Sequence, residues 1–125
     1  MTVGELNIIG AASQAEVVKN GIGQREAEAL LVLEVERLQL MLAFRLPWFE
    51  GLNQARQAVL VNMAFNLGLG GLLNFKNTLA LIETGHYKEA AKAMLNSRWA
   101  KQVGQRANEL AEQMETGEWK RNLEN

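Results

Sequence analysis

Between Val59 and Leu67 the chain reads VLVNMAFNL, apolar on every side of a helical wheel except at Asn62 and Asn66. A helix apolar all round is normally wrapped by others, so this stretch is expected to form the buried axis of a helical domain. Asn53 stands where its side chain can cap the start of that helix. Gly68, Gly70 and Gly71 then interrupt the run, because glycine favours left-handed caps and tight turns over helix interiors. Asn74 is placed to cap a new helix beginning near Phe75.

A second helical pattern runs from Gln24 to Leu46. Ala27, Leu31, Val35, Leu38 and Leu42 fall on one stripe, with Leu30, Met41 and Phe44 widening it. Glu26, Glu28, Glu34, Glu36 and Arg37 supply the solvated side. At about 1.5 Å per residue this helix exceeds ~30 Å, enough to run the length of a small domain, and Pro47 stops it. Beyond the axial helix the pattern predicts short helices over Lys76 to Thr84, Tyr87 to Leu95 and Gln105 to Thr116, separated by Gly85 and by the Asn96 to Gly104 segment. Val3 to Ile9 is the extended candidate, bracketed by Gly4 and Gly10. Ser13 and Glu16 have capping-box spacing for a short helix from Gln14 to Lys19. The expected organisation is a small N-terminal β or irregular region over 1–23, a long helix over 24–46 and a helical lobe over 47–125, mainly α in class.

Charge and chemistry narrow the functions. A net charge of −1 gives no positive field to draw the protein onto nucleic acid. With no cysteine and only His86, neither a thiolate zinc site nor a multi-histidine centre can form, and no metal or cofactor is expected. No apolar run reaches the roughly 18 to 20 residues of a membrane span, so no membrane insertion is expected. Met1-Thr2-Val3-Gly4 lacks the basic start of a signal peptide. The expected location is the cytoplasm of a host, with action elsewhere following release.

From Gln24 onward the segments REAEALL, PWFEGL, QARQAVLVNMAFNLG, FKNTLALIETGHYKEAA, NSRWAKQVGQRANEL and TGEWK occur in an order that resembles the helical lobe of phage-type lysozymes, the endolysin muramidases. The resemblance implies a long helix joining a small catalytic lobe to a helical lobe, with peptidoglycan held between them. In that family a glutamate, an aspartate and a threonine of the small lobe carry the chemistry. Thr2 to Gly10 resembles the segment around the last two, but Met1 stands at the aspartate position and Asn7 at the threonine position. The glutamate is expected upstream of Met1. Glycoside hydrolysis uses one carboxylic acid to protonate the leaving oxygen and a second carboxylate to activate water or attack the sugar. The implied function is therefore that of a lysozyme-family peptidoglycan β-1,4 muramidase, weak or inactive in this copy. The alternative is a non-catalytic scaffold that binds glycan or protein, or an engineered fragment of a lysozyme.

Two acids are candidates to substitute. Glu5 lies in the right region but at a strand end, which suits a surface role, and Glu50 imitates a Glu-Gly signature but, within the PWFEGL connector of the helical lobe, is expected as a solvated turn residue. By resemblance Asn66 is a substrate-contacting amide beside Phe65, and Arg106 matches an arginine near the catalytic glutamate. Asn62 shares a helix face with Asn66, while Trp99 is expected in the core for the size of its apolar surface. The expected partners are a peptidoglycan glycan strand and, should the cleft side of residues 24–46 be uncovered, a second copy of the chain.

Overall fold

The computed structural model describes residues 24–119. Six helices follow one another: α1 (Gln24–Arg45), α2 (Gln54–Leu73), α3 (Lys76–Glu83), α4 (Tyr87–Leu95), α5 (Arg98–Val103) and α6 (Gln105–Thr116), with a 3-10 turn at Phe49–Gly51 between the first two. Among the described residues there is no strand, and the fold is mainly α, as the phage-lysozyme-like pattern predicts. The extended segment expected over Val3 to Ile9, the helix over Gln14 to Lys19, and the candidates Glu5 and Asn7 lie outside the described residues.

The long helix is present, and its buried stripe is Ala27, Leu31, Val35, Leu38 and Leu42, extended by Leu46. The stripe packs on α2 and on the 3-10 turn. Leu30, Met41 and Phe44 do not widen it: all three are exposed, Phe44 at 82%. A helix laid against a single neighbouring helix has one face to bury, and these residues point the other way.

The axial helix forms as the apolar run predicts, with Val59, Leu60, Val61, Met63 and Ala64 all buried. Asn53 caps it, its Oδ1 accepting from the Arg56 N–H at 2.9 Å. The expected glycine break narrows to one residue. Gly68 alone leaves helical geometry, at φ 79° and ψ 157°, and kinks the helix. Gly70 and Gly71 stay helical, and a Cβ at Gly71 would meet that of Leu67 at 2.9 Å. Asn74 is likewise not the cap of α3. Its backbone, at φ −76° and ψ −11°, closes α2 by donating to Gly71 and Leu72 carbonyls, whereas an N-cap needs an extended residue. α3 starts from Phe75 without a side-chain cap.

The spacer expected over Asn96 to Gly104 contains α5. Ser97 is extended, its Oγ accepts from the Ala100 N–H at 3.2 Å, and the same hydroxyl donates to the Met94 carbonyl at 2.6 Å. Gly104, at φ 65°, divides α5 from α6.

Around α2 the remaining helices close the core, α4 packing on α3 and α6, and α6 on α2. Polar ties fasten α2 to α6. The buried Gln113 donates to the Ala55 carbonyl at 2.7 Å, and Arg56 donates to Met114 and Glu115 carbonyls at 2.7 and 2.9 Å. Those carbonyls belong to the last turn of α6, where no intrahelical donor remains. The Arg56 guanidinium also lies 3.5 Å from the Tyr87 ring centre on α4.

Candidate functional site

The kink at Gly68 and the corner at Asn74 and Phe75 turn the chain so that the start of α3 faces the junction of α4 and α5. Between them lies an open groove of about 730 Å³. Its apolar walls are Leu67, Phe75, Ala93 and Trp99, and its polar groups are the amides of Asn74, Asn77, Asn96 and Gln102 and the hydroxyls of Thr78 and Ser97. Lys76 and Arg98 supply two cations. Among the described residues no carboxylate lines it. Amides and hydroxyls both donate and accept, so apolar surfaces edged by them fit a ligand rich in hydroxyl and amide groups, and the two cations fit acidic groups borne on it.

Trp99 is in the core, 2% exposed, and its indole Nε1 has no hydrogen-bond acceptor. The groove therefore meets a small part of a buried ring. Asn62 and Asn66 share a face, as their spacing predicts, with Asn66 Nδ2 donating to Asn62 Oδ1 at 3.3 Å. Asn62 is buried, Asn66 is exposed and Phe65 packs partly buried against the core. Arg106, near the start of α6, is half buried with its Nη2 enclosed and without an acceptor. Burial pulls its guanidinium below the ordinary arginine value, and the nearby charge of Glu109 opposes that shift.

Phe65, Asn66 and Arg106 are not among the groove's lining residues; Leu67 is the residue that carries α2 to its wall. Sequence reasoning did not single out Phe75, Asn77, Thr78, Asn96 or Gln102. The usable signal is an unusual density of amides at helix junctions, where each could equally serve as a local cap.

Glu50 lies exposed on the 3-10 turn and borders a smaller hollow of about 400 Å³ with Glu36, Gln39, Leu40, Ala43, Phe49 and Gln57. Gln57 already donates to the Leu52 carbonyl at 2.9 Å there. Among the described residues no three histidine, cysteine or acidic side chains converge as a metal centre. No single described helix is long and apolar enough to cross a membrane; α2 and α3 pass jointly on composition but meet at a 102° bend.

A family model described as phage lysozyme matches residues 2–116. The chain is 39% identical over 69 residues to a probable T4-type lysozyme 1 of Dictyostelium discoideum, a match covering 55% of this chain and 41% of that protein. A probable T4-type lysozyme 2 of the same organism is 36% identical over 69 residues, with the same shares covered. The pre-baseplate central spike protein of Enterobacteria phage T4 is 35% identical over 71 residues, covering 57% of this chain and 12% of the spike protein. The chain thus spans less than half the length of each of these curated relatives.

Proposed function

The chain belongs to the phage lysozyme family, and from that premise we propose that it presents the peptidoglycan-facing wall of a muramidase fold, with little or no hydrolysis by these 125 residues themselves. The observation that carries the reading is the groove between α3 and the α4–α5 junction. Its amides, hydroxyls and the Phe75 ring suit a glycan strand bearing N-acetyl groups, and Arg98 and Lys76 suit the carboxylates of such a polymer.

Cleavage is a different matter. Protonating the leaving oxygen and stabilising the sugar cation takes two carboxyl groups at a defined separation, and among the described residues the groove lining has none. The chain contains no aspartate, all 14 of its acidic residues being glutamate, and by the resemblance Met1 and Asn7 stand at the family's aspartate and threonine positions. The enclosed, acceptor-free Nη2 of Arg106 supports the same reading, since such a group is ordinarily paired with an acceptor. Synthesis in a host cytoplasm and action on the wall after release belong to the same proposal.

The test pairs two assays on purified chain: sedimentation with insoluble peptidoglycan, and clearing of permeabilised bacterial cells. Binding without clearing is the expected result, and Arg98→Ala together with Phe75→Ala should weaken the binding while leaving the helical circular dichroism in place. Robust clearing overturns the claim about hydrolysis. Absence of binding overturns the claim about the groove.

A further inference from the structure

Helix α1 carries a second apolar stripe that the described chain leaves open. Leu30, Leu33, Leu40, Met41 and Phe44 are all exposed, from 37% at Met41 to 82% at Phe44. At 100° per residue these five fall within one sector, roughly opposite the stripe formed by Leu31, Val35, Leu38 and Leu42. Read with Arg37 between them, the steps from Leu30 to Leu33, Arg37, Leu40 and Phe44 alternate three and four residues, the a and d spacing of two heptads.

We infer that this outer face of α1 is a self-association surface, on which a second copy of the chain docks antiparallel through its own α1. The stripe is nearly symmetric about Arg37, so reversing one copy sets Leu30 against Phe44 and Leu33 against the Leu40–Met41 pair, large against small, and opposes the two helix dipoles. The one charge in the stripe is already neutralised within its own helix. Arg37 holds Glu34 in a fork, Nε to Oε1 at 2.9 Å and Nη2 to Oε2 at 2.6 Å, so two copies meet across neutral pairs instead of two bare guanidinium groups. At roughly 100 Å² of exposed apolar surface per side chain, the five offer about 500 Å² per copy, and the flanking helix surface extends this towards the ~800 Å² per partner of a standard interface. A contiguous patch of that size exceeds what scattered surface residues provide, and it sits at the low end for a dimer, where weak, concentration-dependent association is expected.

The chain has no cysteine, so single-cysteine variants report geometry without background. Sedimentation velocity of the full chain should show a monomer–dimer equilibrium between about 5 and 500 μM, as mass action requires of such a contact. The double variant Leu33→Glu with Leu40→Glu should remain monomeric throughout, with unchanged helicity and unfolding midpoint in the dilute, monomeric range. Glu36→Cys, near the centre of symmetry, should form an interchain disulfide in the dimer range. Ala29→Cys and Ala43→Cys should cross-link when the two variants are mixed, and poorly when either is alone. A wild-type chain that stays monomeric at 500 μM overturns the inference. So does a double variant that loses stability at dilution, because the stripe is then covered by residues 1–23 of its own chain. Cross-linking of Ala29→Cys or Ala43→Cys alone, with none in the mixture, overturns the antiparallel arrangement.

Discussion

Helices α1 and α2 lie side by side and are both rich in large apolar residues, yet they are used differently. α2 buries Val59, Leu60, Val61, Met63 and Ala64 in succession, which requires cover on more than one side. It has that cover from α1 and from α6, whose Gln113 reaches the Ala55 carbonyl. α1 packs on α2 and the 3-10 turn, and turns Leu33, Leu40 and Phe44 outward. Apolar content is similar, then, and the number of neighbours differs. Burial belongs to the arrangement of helices, and a leucine contributes to stability only where another element meets it.

Truncating one leucine on each helix should separate the two most widely. Leu60→Ala removes a side chain with no exposed surface from a core enclosed on several sides, and a cavity there is costly because packed neighbours relax only in part. A loss of about 3 kcal/mol in urea-derived unfolding free energy is expected. Leu40→Ala, from a site 74% exposed, should change the free energy of the dilute chain by less than about 0.5 kcal/mol. Equal losses at the two sites would mean that the outer face of α1 is covered within the monomer.

Arg56 tests how far the cover of α2 depends on polar ties. Its guanidinium satisfies two carbonyls at the end of α6 and stacks on Tyr87, so Arg56→Ala leaves those carbonyls to water and removes the only described cation stack. Hydrogen bonds from a charged donor contribute about 1.5 to 3 kcal/mol in such settings, and because this site is only partly buried a loss of about 2 kcal/mol is expected. Hydrogen exchange should localise the effect to the last turn of α6. Arg56→Lys should recover little of it, since an ammonium lacks the planar fork.

How much of this was legible in the chain follows the same division. The axial helix could be read because an apolar run interrupted only by Asn62 and Asn66 has few uses other than a core, and Asn53 marked its start. The long helix could be read because Ala27, Leu31, Val35, Leu38 and Leu42 repeat at helical period. What could not be read was which second stripe stays exposed: Leu30 and Leu31 are adjacent and chemically identical, and only the position of α2 separates them. Asn74 misled because asparagine serves both ends of a helix, and the carbonyls of Gly71 and Leu72 claimed its backbone first. α5 was missed because six residues carry too little periodicity, although Ser97 was a usable cap signal. The groove was the least legible part. Its amides come from three helix junctions, and local sequence gives no hint that those junctions meet.

The smallest expected effect concerns the ion pair at the middle of the outer face of α1. The hydrogen bond from Arg37 is the main reason the Glu34 carboxyl is held below its ordinary value, the guanidinium charge adding to it and partial burial opposing it. A carboxyl whose folded value is depressed stabilises the fold above its unfolded value, here about 4.5, and loses that contribution as pH falls through the lower folded value. Both side chains are well exposed, Arg37 at 56% and Glu34 at 39%, so water and salt screen the attraction and the contribution is small. In dilute solution Glu34→Gln should therefore lower the urea midpoint slightly at pH 7, and the gap to wild type should close as the pH falls below 4.5. Raising the salt concentration at pH 7 should narrow it in the same direction. A gap that is large and insensitive to salt would mean that the pair is desolvated even in the dilute chain, which would make the outer face of α1 an internal surface like that of α2.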